Sequence, residues 1–196
     1  VAVAGALLAA VGFLAGEVRA HRDEMRHVVQ SDPLTGLHNR GSLLVALEAE
    51  RARAERFGGD TSLLCIAVDG FKQINDRAGH AAGDAFLKAL AAELGELVRR
   101  TDLVARIGGD EFAVLLTQTG APAVQAVAQK IGESLAQWAA ANGHAVGFSL
   151  GWASAPLAGM EAEQLLARAT ATLYERKNAG RGDRPTPTVT GSTAVA

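Results

Sequence analysis

The run Arg106-Ile107-Gly108-Gly109-Asp110-Glu111-Phe112-Ala113-Val114-Leu115-Leu116 constrains the fold more than any other stretch, because it reads as a buried β-hairpin interrupted by two glycines and two acids. Leu103, Val104, Ala105 and Ile107 lead into the turn, and Phe112 to Leu116 lead out as a largely apolar strand. Upstream, Arg40 to Phe57 has helical periodicity with Leu43, Leu44 and Leu47 inward, and Gly58-Gly59 stops it. Thr61 to Asp69 reads as the central strand and Gly83 to Val98 as an amphipathic helix. Asp102 to Ile107 and Glu111 to Thr117 form the hairpin, Pro122 to Asn142 is a helix, Ala145 to Ala153 a strand, and Met160 to Asn178 a closing helix. The order β, α, β, β, α, β, α, preceded by helices, predicts an α/β (α+β) ferredoxin-like domain. Its mainly antiparallel sheet is flanked by helices, expected on one face.

The two ends of the chain read differently from this middle. Val1 to Gly16 carries no charge and is rich in Ala, Val, Leu and Gly, and Glu17, Arg19, Arg22 and Arg26 come directly after it. Residues 1–18 are therefore expected to be the end of a membrane-spanning or apolar helix, slightly short of a full span, with the basic residues placing the downstream domain on the cytoplasmic side of the inner membrane. A buried or dimer-packing helix is the alternative. With no initiator Met, a longer protein with an upstream membrane or sensor region is expected. Glu17 to Ser31 has a helical pattern with Val18, Met25, Val28 and Val29 as its apolar members, so residues 19–31 fit a linking helix, ended by Asp32-Pro33. One domain is expected over 32–183. Arg184 to Ala196, rich in Pro, Thr, Ser and Ala, reads as a disordered tail.

A net charge of −2 with interspersed acids and bases gives no footprint of a polymeric nucleic-acid binder. Cys65, the single cysteine, lies in the apolar run Leu63 to Val68 and reads as a buried reduced thiol. The histidines lack metal-ligand spacing. The turn itself invites chemistry: glycine tolerates positive φ and close ligand approach, so Gly108 and Gly109 can set Asp110 and Glu111 beside a phosphate chain and a metal. An acidic hairpin turn with no ligand is the plainer alternative.

Four other segments recur in order with this turn: Asp32-Pro33-Leu34-Thr35-Gly36-Leu37-His38-Asn39-Arg40; Phe71-Lys72-Gln73-Ile74-Asn75-Asp76 with Gly79-His80-Ala81-Ala82-Gly83-Asp84; Ser149-Leu150-Gly151; and Leu173-Tyr174-Glu175-Arg176-Lys177-Asn178-Ala179-Gly180-Arg181. Together the five motifs resemble the GGDEF family, the diguanylate cyclase domains of bacterial signalling, whose fold is similar to nucleotide cyclases and polymerase palms. The resemblance implies condensation of two GTP into cyclic di-GMP with release of pyrophosphate, Mg2+ or Mn2+ as cofactor, and a homodimer, since each domain supplies one half-site. Phosphoryl transfer then demands backbone N–H groups and cations around a triphosphate and an aligned 3′ hydroxyl.

By that resemblance Asn75 and Asp84 read guanine, whose edge suits an amide and a carboxylate, and Leu34 and Phe71 pack the base. Gly70, Lys72, Gly108 and Gly109 lie against the substrate, Gly70 at a strand-to-helix corner whose free N–H groups can face phosphates. Lys177 and Arg181, one helical turn apart, reach the phosphates. Asp110 and the Val68 carbonyl hold metal, and Glu111 is the neighbouring acid needed for turnover.

One position departs from the pattern. Ala67 stands where the family usually carries a second metal-binding Asp, with Asp69 two residues on, sharing a strand face, as a stand-in. Weaker metal binding and slower reaction are expected. Gly147 and Thr170 are lesser departures from Thr and Asp. Arg99-Arg100-Thr101-Asp102 matches the family's product-inhibition motif, with Arg99 and Asp102 as the product-gripping pair; a helix end with a turn-forming Asp is the alternative. The rival to a cyclase is a degenerate module that binds GTP or cyclic di-GMP without turnover. A nucleotidyl cyclase of other specificity is disfavoured by Asn75 and Asp84.

Overall fold

The computed structural model describes residues 30–179 and 189–193, with side chains over 30–178. The expected membrane-helix end, all but the last two residues of the linking helix, and Arg181 lie outside the described residues. Among the described residues no helix is long and apolar enough to cross a membrane.

In chain order the elements are β1 (His38–Asn39), α1 (Arg40–Phe57), β2 (Asp60–Asp69), α2 (Phe71–Ala78), α3 (His80–Leu97), β3 (Leu103–Arg106), β4 (Glu111–Leu116), α4 (Ala121–Ala141), β5 (Gly147–Pro156), α5 (Ala162–Ala179) and β6 (Val189–Thr193). They build one sheet in the order β1-β3-β4-β2-β5-β6. Its inner part, β3-β4-β2-β5, is antiparallel at every pairing, which with α3 and α4 as crossovers is the ferredoxin-like βαββαβ arrangement.

Local chemistry sets the helix boundaries. The Asn39 side chain accepts the Ser42 N–H at 2.9 Å and starts α1, Gly58 ends it with its N–H on the Ala54 carbonyl at 2.8 Å, and Pro122 occupies the first turn of α4.

Helices cover both faces of the sheet, which corrects the expectation of one. Leu64, Ile66 and Val68 of β2 pack with Phe86, Leu87 and Leu90 of α3 and with Val124, Ala128 and Ile131 of α4. The intervening Leu63, Cys65 and Ala67 pack with Leu43 and Leu47 of α1 and with Leu165, Ala169 and Leu173 of α5. The βαββαβ core puts its own helices on one side, and the added α1 and α5 close the other. Burial of β2 at every position from Thr61 to Val68 results from this, since a strand covered on both faces has no polar alternation.

Val189–Thr193, expected within a disordered segment, pairs parallel with β5, Leu150 opposite Val189 and Ser154 opposite Thr193. Val189, Thr190 and Thr193 are β-branched and favour extended backbone.

Candidate active site

The end of β2, the β3–β4 turn and the start of β5 meet at one end of the sheet. Ala67 lies opposite Glu111 on one side and Ser149 on the other, and Asp69 lies opposite Gly147. Glu111, Ala67 and Ser149 therefore form one cross-strand row pointing to the α5 side.

The turn is closed by the N–H groups of Ile107 and Gly108, both donating to the Glu111 carbonyl at 2.9 and 3.2 Å. Neither Gly108 nor Gly109 has positive φ, so left-handed backbone is not what these glycines supply. Gly108 supplies room instead: a β-carbon there would stand 3.1 Å from Glu111 Oε2. The Val68 N–H donates to the Asp110 carbonyl at 3.1 Å, which binds the end of β2 to the turn.

Helix α5 brings two side chains onto these acids. Tyr174 Oη donates to Glu111 Oε1 at 2.9 Å, and Lys177 Nζ lies 3.7 Å from Asp110 Oδ2. The hydrogen bond to Glu111, with the charges of Glu111 and Asp110, raises the Tyr174 pKa above its usual 10.0. What lets α5 come this close is Gly151, where a β-carbon would sit 2.2 Å from the Leu173 backbone nitrogen. The Thr172 hydroxyl shares its proton between the Arg168 carbonyl of its own helix at 2.7 Å and the Trp152 carbonyl at 3.2 Å, and the Arg176 guanidinium lies 5.1 Å over the Trp152 ring.

Two residues from the opening motif and the hairpin fix the turn from the other side. Arg106 Nη1 donates to both oxygens of Asp32 at 3.0 and 3.2 Å, and Nη2 donates to the Gly109 carbonyl at 2.7 Å. Burial works to raise the Asp32 pKa, but bonds from the Thr35 hydroxyl and N–H and from Arg106 outweigh it and hold the carboxyl below its usual 3.8. Asp32, Arg106, Tyr174 and Gly151 lie within the quoted motifs, but residue pattern alone assigned them no role; their contacts in the structure make them further candidates.

The expected guanine-reading residues gather beside α2 and α3. A β-carbon at Gly83 would lie 2.0 Å from Asn75 Oδ1 and 3.2 Å from Phe71 Cζ, so the Asn75 amide lies across the backbone of Gly83, next to Asp84. Leu34 and Phe71 are half-buried at the edge of the α3–α4 core, with the Phe71 and Phe86 ring centroids 6.2 Å apart. Gly70 adopts φ 83° and ψ 10° and starts α2 with no side-chain cap and no acid in the first turn, leaving N–H groups for an anion. Lys72 is exposed on that turn.

Asp69 is taken up elsewhere: both its oxygens accept from the Ser149 hydroxyl, at 2.9 and 2.8 Å. Ala67 itself is fully buried. Asp102 Oδ2 accepts the Arg99 N–H at 3.2 Å while the Asp102 N–H donates to the Arg99 carbonyl at 3.0 Å, so the pair forms a closed turn after α3 with the Arg99 side chain exposed. Cys65 is buried, its thiol pushed up to about 12 by loss of solvent, and it does not serve as a nucleophile.

Among the described residues no group of three or more acids, histidines or cysteines converges on a point. A magnesium or manganese ion still fits the donor set at the turn. Asp110 is a half-buried carboxylate backed by the Val68 main chain, and a hard cation that keeps phosphate and water ligands needs no more than one or two protein carboxylates.

Comparison with known proteins agrees with this arrangement. The model of the family described as diguanylate cyclase, GGDEF domain, matches residues 29–183. An uncharacterized signaling protein of Caulobacter vibrioides is 42% identical over 85% of this chain and 21% of its own length. Diguanylate cyclase DgcP of Pseudomonas aeruginosa is 39% identical over 83% of this chain and 24% of its own. The chain thus spans about a fifth to a quarter of these curated relatives. The crystal structure of the coiled coil and GGDEF domain of DgcB from Caulobacter crescentus, in complex with c-di-GMP, superposes with a TM-score of 0.78 at 27% identity, covering 96% of this chain and 98% of that one. Motifs, sheet order and matches converge on one conclusion: the chain belongs to the GGDEF domain family of diguanylate cyclases.

Proposed function

We propose that this domain condenses two GTP molecules into cyclic di-GMP, at a rate held down by Ala67. The observation that carries the reading is the pairing of both turn acids with α5, Glu111 with Tyr174 and Asp110 with Lys177, beside an uncapped helix start at Gly70. Asn75 and Asp84 bind guanine, with Leu34 and Phe71 against the base. The triphosphate lies along the first turn of α2, at Gly70 and Lys72, and along Gly108 and Gly109, with Lys177 and Arg181 neutralising it. Glu111 receives the proton of the attacking 3′ hydroxyl. Mg2+ or Mn2+ held by Asp110 and the Val68 carbonyl supplies charge neutralisation at the phosphates.

The symmetric product requires two domains facing each other, so the working unit is a homodimer, controlled through its N-terminal helix by an upstream region. Product binding at Arg99 and Asp102 restrains it. The second reading, a GTP or cyclic di-GMP receptor without turnover, is favoured by one observation: the position between Glu111 and Ser149 carries a methyl group, and Asp69 is bonded to Ser149. Nucleotide chromatography after incubating the purified dimer with GTP and Mg2+, then Mn2+, separates the two. Cyclic di-GMP is the expected product, and bound but unconverted GTP in both metals overturns the cyclase reading.

A further inference from the structure

We propose that Tyr174 is a positioning residue that holds the Glu111 carboxylate in place for the reaction. The inference rests on the cyclase reading for its catalytic consequence and on geometry for the contact itself. Glu111 takes the Tyr174 hydroxyl on Oε1 at 2.9 Å, while Oε2 lies beside the bare backbone of Gly108, 3.1 Å from where a β-carbon would stand. Its cross-strand neighbour, Ala67, offers no side-chain oxygen or donor. Tyr174 is thus the hydrogen-bond donor that fixes which way this acid faces. The tyrosine is itself well founded, because the α5 turn that bears it is pressed onto β5 at Gly151 and set against Trp152 by Arg176. The residue is 47% exposed, so its place in the helix is not explained by a need to fill the core.

The charged groups facing the hydroxyl are Glu111 and Asp110 from the turn, with Lys177 one helical turn on along α5. Both acids disfavour a phenolate, in keeping with the raised Tyr174 pKa.

Tyr174 is the only tyrosine in the chain, so its ionisation can be followed by ultraviolet tyrosinate absorbance in the intact protein without added divalent metal. Wild type is expected to titrate above the ordinary tyrosine value of about 10, and Glu111→Gln to bring the midpoint back toward it. An unchanged midpoint in Glu111→Gln overturns the proposal whatever the protein catalyses. In turnover, Tyr174→Phe keeps the ring and removes the donor. Its expected effect is a fall of about ten-fold or more in kcat with KM for GTP held. A rise in KM at unchanged kcat assigns Tyr174 to substrate binding and contradicts the proposal. If wild type makes no cyclic di-GMP, the cyclase reading falls and takes the catalytic consequence with it, while a midpoint that drops in Glu111→Gln still places the Tyr174 hydroxyl beside the Glu111 carboxylate.

Discussion

The two ends of the candidate nucleotide groove are built by different means. At the base end, between α2 and α3, the arrangement is steric: Asn75 lies across Gly83 and Phe71 packs beside it, so the site depends on an absence of side chain. At the carboxylate end it is electrostatic: Asp110 with Lys177, Glu111 with Tyr174, Asp32 with Arg106, and Asp69 with Ser149. The steric end has everything its shape needs. The electrostatic end has every acid partnered, yet it lacks a carboxylate at the one row position, Ala67, between Glu111 and Ser149. The motif resemblance calls for an acid at that position; the alanine present fits the apolar α5 face of β2, whereas a side chain at Gly83 would displace Asn75.

The largest expected effect separates these ends most sharply. Gly151→Ala forces a β-carbon against the Leu173 backbone, a contact no side-chain rotation can relieve, and should cost about 3 kcal/mol by chemical denaturation. It should also lower turnover by lifting Tyr174 and Lys177 from the turn while GTP affinity at the base end falls less. A denaturation midpoint equal to wild type would mean that α5 is not seated on β5 as described.

Gly83→Ala probes the other end. Its β-carbon meets only the ends of Asn75 and Phe71, and alanine in a helix gains about 1 kcal/mol over glycine, so stability should hold. The displaced amide should raise KM for GTP about ten-fold with kcat little changed. Equal loss in kcat and unchanged KM would place Asn75 away from the base.

The smallest effect concerns the Asp32–Arg106 pair. A carboxyl whose folded pKa is depressed contributes stability above its unfolded value, near 3.8, and loses it as pH falls through the lower folded value. Arg106→Gln should therefore be less stable than wild type near neutral pH, with the gap closing as pH falls below 3.8. A gap independent of pH would assign the loss to packing rather than to charge.

Much of this was legible in the sequence. The hairpin, the order of elements and the glycine-bounded α1 come from periodicity and turn residues. The motif resemblance singled out Asn75, Asp84, Asp110, Glu111 and Lys177; in the structure Lys177 lies 3.7 Å from Asp110 and the Asn75 amide lies across Gly83, next to Asp84 in the chain. The second covered face was missed although Leu63 to Val68 shows no polar alternation, because the βαββαβ order alone accounts for one layer of helices. The Asp32–Arg106 and Tyr174–Glu111 contacts join positions 74 and 63 residues apart, and no local pattern marks such pairs. Asp69 shares a face with Ala67, as period-two reasoning requires, but Ser149 on the neighbouring strand claims it, and strand neighbours are not readable before the sheet order is known.

The most direct test of the central claim, a cyclase slowed by a missing oxygen donor, is the rate of cyclic di-GMP formation by wild type and Ala67→Asp across a Mg2+ titration. The account predicts measurable product from wild type, and a rate about ten- to a hundred-fold higher in the variant, reached at lower metal concentration. Equal rates and equal metal dependence would contradict it, showing that position 67 does not limit the reaction.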